Sequence, residues 1–163
     1  MLALSYLGQF DTNPVLGHGL RDSDRGVRIV AENGIRDVWC RAGNEKQRQD
    51  LQSIIRLSQA GRFAEVIPAA TQLIEAAPWF AEVWNQRAIA FFQTEQYVDS
   101  ANDCHQTLEL NPYHFNAAIG MANCYLELNE PQSALQCFQR ALHVNPHMEG
   151  VRAQVRYLQK MLG

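Results

Sequence analysis

The stretch AEVWNQRAIAFFQTEQYVDSANDCHQTLELNP, residues 81–112, decides the fold because it recurs along the chain. Pro78, Pro112 and Pro146 stand at a constant step of 34 residues, and each closes an apolar, helix-favouring run. Within the stretch, Trp84, Ala88 and Phe91 fall on one stripe of a first helix, and Tyr97, Ala101, Cys104 and Leu108 stripe a second. The polar turn Thr94-Glu95-Gln96 joins the two into an antiparallel hairpin. One hairpin cannot bury both stripes, so it has to stack on its neighbours. The spacing therefore predicts an all-α solenoid of stacked helix hairpins and an architecture suited to binding.

Outward from that unit, residues 44–80 form a first hairpin. Leu51, Ile54, Ile55 and Leu57 lie on its first helix, Ala60-Gly61-Arg62 in its turn, and Phe63, Val66, Ile67, Ala70, Leu73 and Ile74 on its second helix. Pro68 lies inside that second helix and predicts a kink or a delayed start. Residues 115–148 form a third unit with Ala118, Ala122 and Tyr125 on one helix, the turn Asn129-Glu130-Pro131, and Ala134, Phe138 and Ala141 on the other. Residues 149–163 place Val151, Val155, Leu158 and Leu162 on one face of a capping helix.

Residues 1–43 keep no such register. Residues 1–9 read as a short helix, Asn13-Pro14 as an N-cap with proline in the first turn, and Val15 to Leu20 as a brief helical piece. Asp22, Ser23 or Asp24 caps a further helix over about 24–42, whose apolar residues run from Val27 through Ile35 to Trp39.

Composition bounds function. The 163 residues are 47% hydrophobic, as a folded globular chain requires. A net charge of −3 offers no clustered cationic face for nucleic acid. Cys40, Cys104, Cys124 and Cys137 have no C-x-x-C spacing, and the last three fall in helices, which predicts reduced, inert thiols in a cytoplasmic protein. The opening MLALSYLGQF has too short an apolar run for a membrane span and no basic region for a leader. His143 and His147 are separated by the helix-breaking Asn145-Pro146 and cannot share a helical face as metal ligands do. No nucleophile elbow, phosphate loop or dinucleotide fingerprint is present, so neither an enzyme, a cofactor nor a metal is expected.

The pattern of Trp84, Ala88, Phe91, Tyr97 and Pro112 resembles the tetratricopeptide repeat (TPR) family, as does that of Ala122, Tyr125, Ala134, Phe138, Ala141 and Pro146. The segments PWFAEVWNQRA, NPYHFNAAIG and NPHMEG are similar to small bacterial and plastid TPR proteins with no assigned activity. The stretch around DSD and the helix after it resembles the second helix of a HEAT-type repeat. The resemblance implies a right-handed α-solenoid of three TPR units, 44–80, 81–114 and 115–148, followed by a capping helix.

It also implies that the first helix of each hairpin lines a concave groove for partner peptides. That groove would present Gln52, Ile55 and Gln59, then Asn85, Gln86, Ile89 and Gln93, then Asn116, Ile119, Asn123 and Glu127. Carboxamides offer a donor and an acceptor together, which suits the main chain of an extended peptide, although a merely solvated groove would look the same. Arg87 and Asp103, sixteen residues apart on antiparallel helices, are expected to form a structural ion pair. Co-chaperone members grip the carboxylate end of heat-shock chaperones with a clamp of lysines, asparagines and an arginine. At those places this chain has Leu51, Ile55, Gln86, Asn116 and Gly120, so the clamp is not expected. The leading expectation is a scaffold or adaptor binding an extended segment of another protein. A module that self-associates through its apolar N-terminal segment and the Trp79-Phe80 corner, or an accessory domain of a larger enzyme or complex, are the alternatives.

Overall fold

The computed structural model describes residues 10–163, and the helix expected over residues 1–9 lies outside the described residues. After a short 3-10 turn, nine α-helices follow among the described residues: α1 (Asn13–Gly19), α2 (Arg25–Cys40), α3 (Glu45–Gln59), α4 (Phe63–Ala76), α5 (Ala81–Gln93), α6 (Tyr97–Leu110), α7 (Phe115–Glu127), α8 (Pro131–Val144) and α9 (Glu149–Leu162).

Local chemistry sets the boundaries. Asp24 caps α2 by accepting from the backbone N–H of Gly26 and Val27. Asn44 and Gln47 form a reciprocal capping box at the start of α3. Pro131 opens α8 where its missing N–H is not needed. The helix α4 starts at Phe63 and runs through Pro68, so of the two expected outcomes, a kink or a delayed start, the delay does not occur. At α1 the capping position is Thr12. Asn13 is instead buried in the first turn, where its side chain serves a different purpose described below.

The three hairpin turns repeat the same backbone. Gly61, Glu95 and Asn129, 34 residues apart, all take positive φ, at 72°, 61° and 59°. Around each, two hydrogen bonds close the preceding helix, for example Glu95 N–H to Phe92 O at 3.0 Å and Gln96 N–H to Phe91 O at 2.8 Å. This is the Schellman arrangement, in which the C′ residue is left-handed. Glycine satisfies it without strain, whereas an L side chain costs about 1–2 kcal/mol there. Part of that strain is returned by removing the side chain. Glu95→Gly is therefore expected to stabilise the fold by about 0.5–1 kcal/mol, raising the melting temperature by roughly 2–3 °C. A lowered melting temperature in calorimetry would contradict this account of the turn.

Three apolar clusters hold the stack. One joins α3 and α4 to α5 through Leu51, Val66, Ala70, Leu73, Phe80 and Val83, with Trp84 against its edge. Another seats α9 on the third hairpin through Ala134, Phe138, Val155 and Leu158. The third cluster is not part of a repeat stack: Leu16, Leu20, Ala31, Ile35, Val38 and Trp39 of α1 and α2 pack against Leu108, Phe115, Ala117, Ala118 and Ala141. The N-terminal helix pair is thus joined in sequence to the first hairpin and packed on the third. Of the Trp79-Phe80 corner, Phe80 is fully buried and only Trp79 faces outward. No described helix is long and apolar enough to cross a membrane.

Candidate functional site

The first helices of the hairpins, α3, α5 and α7, present a shared face, and α2 lies along its amino-terminal edge. What remains open is a pocket of about 660 Å³. Its walls come from Arg36, Trp39 and Cys40 of α2, Ile55 and Gln59 of α3, Glu82, Asn85, Gln86, Ala88, Ile89, Phe92 and Gln93 of α5, Ser100 and Cys104 of α6, and Asn116, Gly120 and Asn123 of α7.

The α2 wall is fixed by buried polar chemistry. The Trp39 ring stacks on His114, centroids 4.0 Å apart, and meets Phe115 edge-on at 5.4 Å. Its indole N–H donates to Asn13 Oδ1 at 3.1 Å, and Asn13 in turn donates to Asn111 Oδ1 at 3.4 Å. His114 is fully buried and caps α7, its Nδ1 accepting from the backbone N–H of Ala117 at 3.1 Å. A ring nitrogen that accepts carries no proton, so Nε2 holds the hydrogen and donates to Glu82 Oε2 at 2.9 Å.

Glu82 is the anion beneath the groove. Asn85 and Gln86, one turn further along α5, donate to its other oxygen at 3.1 and 2.7 Å. Burial pushes its carboxyl up, but the bond from His114 together with those from Gln86 and Asn85 outweighs burial and holds it below its ordinary value. Cys40, on the same wall, is pushed up to about 12, by burial first and by Glu82 and Asp37 next.

Arg87 turns away from the pocket. Its Nε and Nη2 donate to Asp103 Oδ2 and Oδ1 at 2.7 and 2.9 Å, and Nη1 donates to Thr71 at 2.8 Å. The guanidinium also lies over Trp84 at 5.0 Å and Phe91 at 5.6 Å. Burial raises the Asp103 carboxyl above its ordinary value even though Arg87 pulls it down.

Of the side chains read as groove-lining from sequence, Ile55, Gln59, Asn85, Gln86, Ile89, Gln93, Asn116 and Asn123 meet at this pocket. Gln52 lies elsewhere, in a shallow depression with Arg48 and Arg56. Ile119 is packed against the core formed with α1 and α2, and Glu127 is exposed beyond the pocket. Asn85 is buried and, like Gln86, has committed its amide hydrogens to Glu82. The carboxamides of Gln59, Gln93, Asn116 and Asn123 have no hydrogen-bond partner among the described residues.

The groove is also less uncharged than its repeat positions imply. Arg36 is the one lining side chain with a positive charge; it pairs with Glu32 at 2.7 Å and lies over the Phe115 ring at 5.6 Å. Arg36, Trp39 and Cys40 come from a helix outside the repeat register, and no signal in that helix ties it to the groove. Glu82 lies within the register but one turn before the positions that face a groove, and only its reach to His114 marks it.

Comparison with known proteins agrees with this architecture. Residues 116–148 match the tetratricopeptide repeat model. A TPR repeat-containing protein of Rhizobium etli is 28% identical over 142 residues, which are 87% of this chain and 69% of that protein. The Hsp70-Hsp90 organizing protein of Triticum aestivum is 28% identical over 94 residues, 58% of this chain but only 16% of its own length. Among solved structures, the first TPR of Spaghetti (RPAP3) bound to the HSP90 peptide SRMEEVD superposes with a TM-score of 0.69 at 19% identity, covering 74% of this chain and 95% of that one. The TPR2AB-domain:pHSP90 complex of yeast Sti1 covers 97% of this chain and 64% of its own, with a TM-score of 0.61 at 20% identity. At these identities the likeness is one of fold. Repeat spacing, turn geometry and helix stacking agree with the matched segment: residues 116–148 match a tetratricopeptide repeat, and the chain resembles TPR domains in its fold.

Proposed function

We propose that the chain is an interaction scaffold that holds a short segment of another protein in the pocket between α2 and the first helices of the hairpins. The observation that carries this is the set of four unpartnered carboxamides, Gln59, Gln93, Asn116 and Asn123, around the apolar side chains of Ile55, Ile89 and Phe92. Apolar walls with a few convergent polar groups are the usual make-up of a binding pocket, and 660 Å³ lies within the usual range. Amides without partners are ready to pair with the main chain of an extended segment. Because α2 walls one edge, the occupant covers a few residues rather than the length of the array.

A heat-shock tail is not the occupant we favour. A multiply acidic tail such as SRMEEVD calls for several cations, and the pocket wall supplies Arg36 alone, already paired with Glu32. The structural neighbour bound to that peptide makes this an outcome to test.

The test position has to be one whose amide is free, which excludes Asn85. A peptide-display selection on the wild-type chain, repeated with Asn116→Ala/Asn123→Ala, is expected to yield peptides whose affinity falls about tenfold or more in the variant, at about 1 kcal/mol per lost hydrogen bond. Peptides bound equally by both forms would move the working surface off this face. The same titration with SRMEEVD is expected to show no binding, and saturable binding competed by a selected peptide would reinstate the clamp reading.

A further inference from the structure

Three buried side chains line the pocket from below. Ala88, Ser100 and Cys104 are each at most 2% exposed and still bound it, so the pocket runs down between α5 and α7 to the face of α6. Gly120 opens that path. A Cβ there would stand 3.2 Å from Cys104 Sγ and, apart from its own neighbours in α7, within 4 Å of nothing else among the described residues. The 34-residue register explains why the opening falls at this place. Ala70 and Gln86, Cys104 and Gly120, and Phe138 and Gln154 hold matching positions, the first of each pair on the second helix of a hairpin and the other on the helix that follows. Elsewhere at least one of the two side chains is long; here both are short. Gly120 also lies between Asn116 and Asn123 on one face of α7, at i, i+4 and i+7. A main chain paired with both carboxamides has to cross it.

We propose, resting on the reading of this pocket as a peptide site, that Cys104 and Gly120 set its specificity: together they form a notch that takes one leucine or methionine side chain of the bound segment. The surrounding chemistry selects that class. Ile89 and Phe92 line the same pocket with apolar surface. Ser100 gives its hydroxyl hydrogen to Ala88 O at 2.8 Å and accepts from the Cys124 thiol at 3.1 Å, so the floor has no free donor for a polar side chain. The Glu82 carboxylate on the pocket wall repels an acidic side chain. Its oxygens are taken up by His114, Asn85 and Gln86, which leaves a basic side chain without a partner. The room is that of the side chain which Gln86 supplies at the matching place one repeat earlier, and leucine and methionine are apolar residues of about that size.

The experiment selects peptides from a random display library on the full wild-type chain and keeps those that Asn116→Ala/Asn123→Ala weakens. These are expected to share a leucine or methionine at one position. Replacing it by alanine is expected to lower affinity about tenfold or more, and replacing it by aspartate to abolish binding. Gly120→Gln and Cys104→Phe place in the notch the side chains that the array itself carries at Gln86 and Phe138. Each variant, checked for native circular dichroism, is expected to erase the preference for leucine or methionine while binding the alanine-substituted peptide as wild type does. Peptides that depend on the two asparagines but share no such position, or whose preference survives both variants, would overturn the notch and leave the pocket reading standing. No selectable peptide, or only peptides indifferent to the asparagines, would overturn both. Should the two variants misfold, a diazirine analogue of leucine at the shared position is expected to cross-link the wild-type chain at residues 100–104 or at Gly120, and a cross-link elsewhere would overturn the proposal.

Discussion

Replacing His114 by alanine is expected to lower the unfolding free energy by about 3–5 kcal/mol, because the substitution leaves the buried Glu82 carboxylate without its main partner. The loss has three sources that reinforce one another. The cap on Ala117 N–H disappears, worth about 1 kcal/mol. The donor to Glu82 disappears. The face on which Trp39 stacks also disappears, so α2 loses one of its contacts with the third unit. Chemical denaturation measures the sum, and a loss below about 1 kcal/mol would mean that the carboxylate is satisfied without the imidazole.

The same network fixes a pH dependence. The folded value of Glu82 lies below its unfolded value, so it contributes stability that is fully present above the unfolded pKa of about 4.3 and fades as pH falls through the folded value. Asp103 acts in the opposite sense. Its folded value is raised, so its contribution is greatest below the unfolded pKa and declines as pH rises through the folded one. Glu82→Gln keeps the shape and the acceptor for His114, and is expected to flatten the acid limb of the stability profile below about pH 4. An acid limb unchanged from wild type would assign acid sensitivity to other carboxylates.

The second large effect is expected at Arg87. Arg87→Met strands Asp103, whose side chain is 7% exposed, and should cost about 3–5 kcal/mol. Asp103→Leu leaves a cation that still has Thr71 and two aromatic faces, so the cost is smaller, about 2 kcal/mol. The double variant, with two apolar side chains of similar volume, is expected to lie within about 1 kcal/mol of wild type, which makes the pair a device of specificity more than of stability. A double-mutant cycle by denaturation gives the coupling directly. Additive losses would show that the two side chains act independently of each other.

Periodicity made the array legible in the sequence. A 34-residue step repeats not only Pro78, Pro112 and Pro146 but also the left-handed residues Gly61, Glu95 and Asn129, so each unit could be read against the others. Helix ends followed from turn chemistry, which acts over a few residues. The site was half legible for the same reason: Ile89, Asn116 and Asn123 take their places by register. The rest depends on contacts with no period. Asn13 reaches Asn111 across 98 residues, and Trp39 finds its position only against His114. Asn85 shows the limit most plainly, since its place on the helix was readable but the buried carboxylate that claims its amide was not. Ile119 lies outside the pocket because the docked N-terminal pair packs against it, and Gln52 lies in a separate depression on α3.

That docking changes how the molecule comes apart. An open stack, in which each unit touches only the next, frays from its ends and loses its hairpins one by one. Here the helices joined to the first hairpin are buried against the third, through Ile35, Val38 and Trp39 on Phe115 and Ala118. The chain is clasped like a bracelet, and neither the first nor the third hairpin can leave without breaking that clasp. Amide protons in both should then exchange through the same global opening, which turns a modular stack into a single cooperative unit.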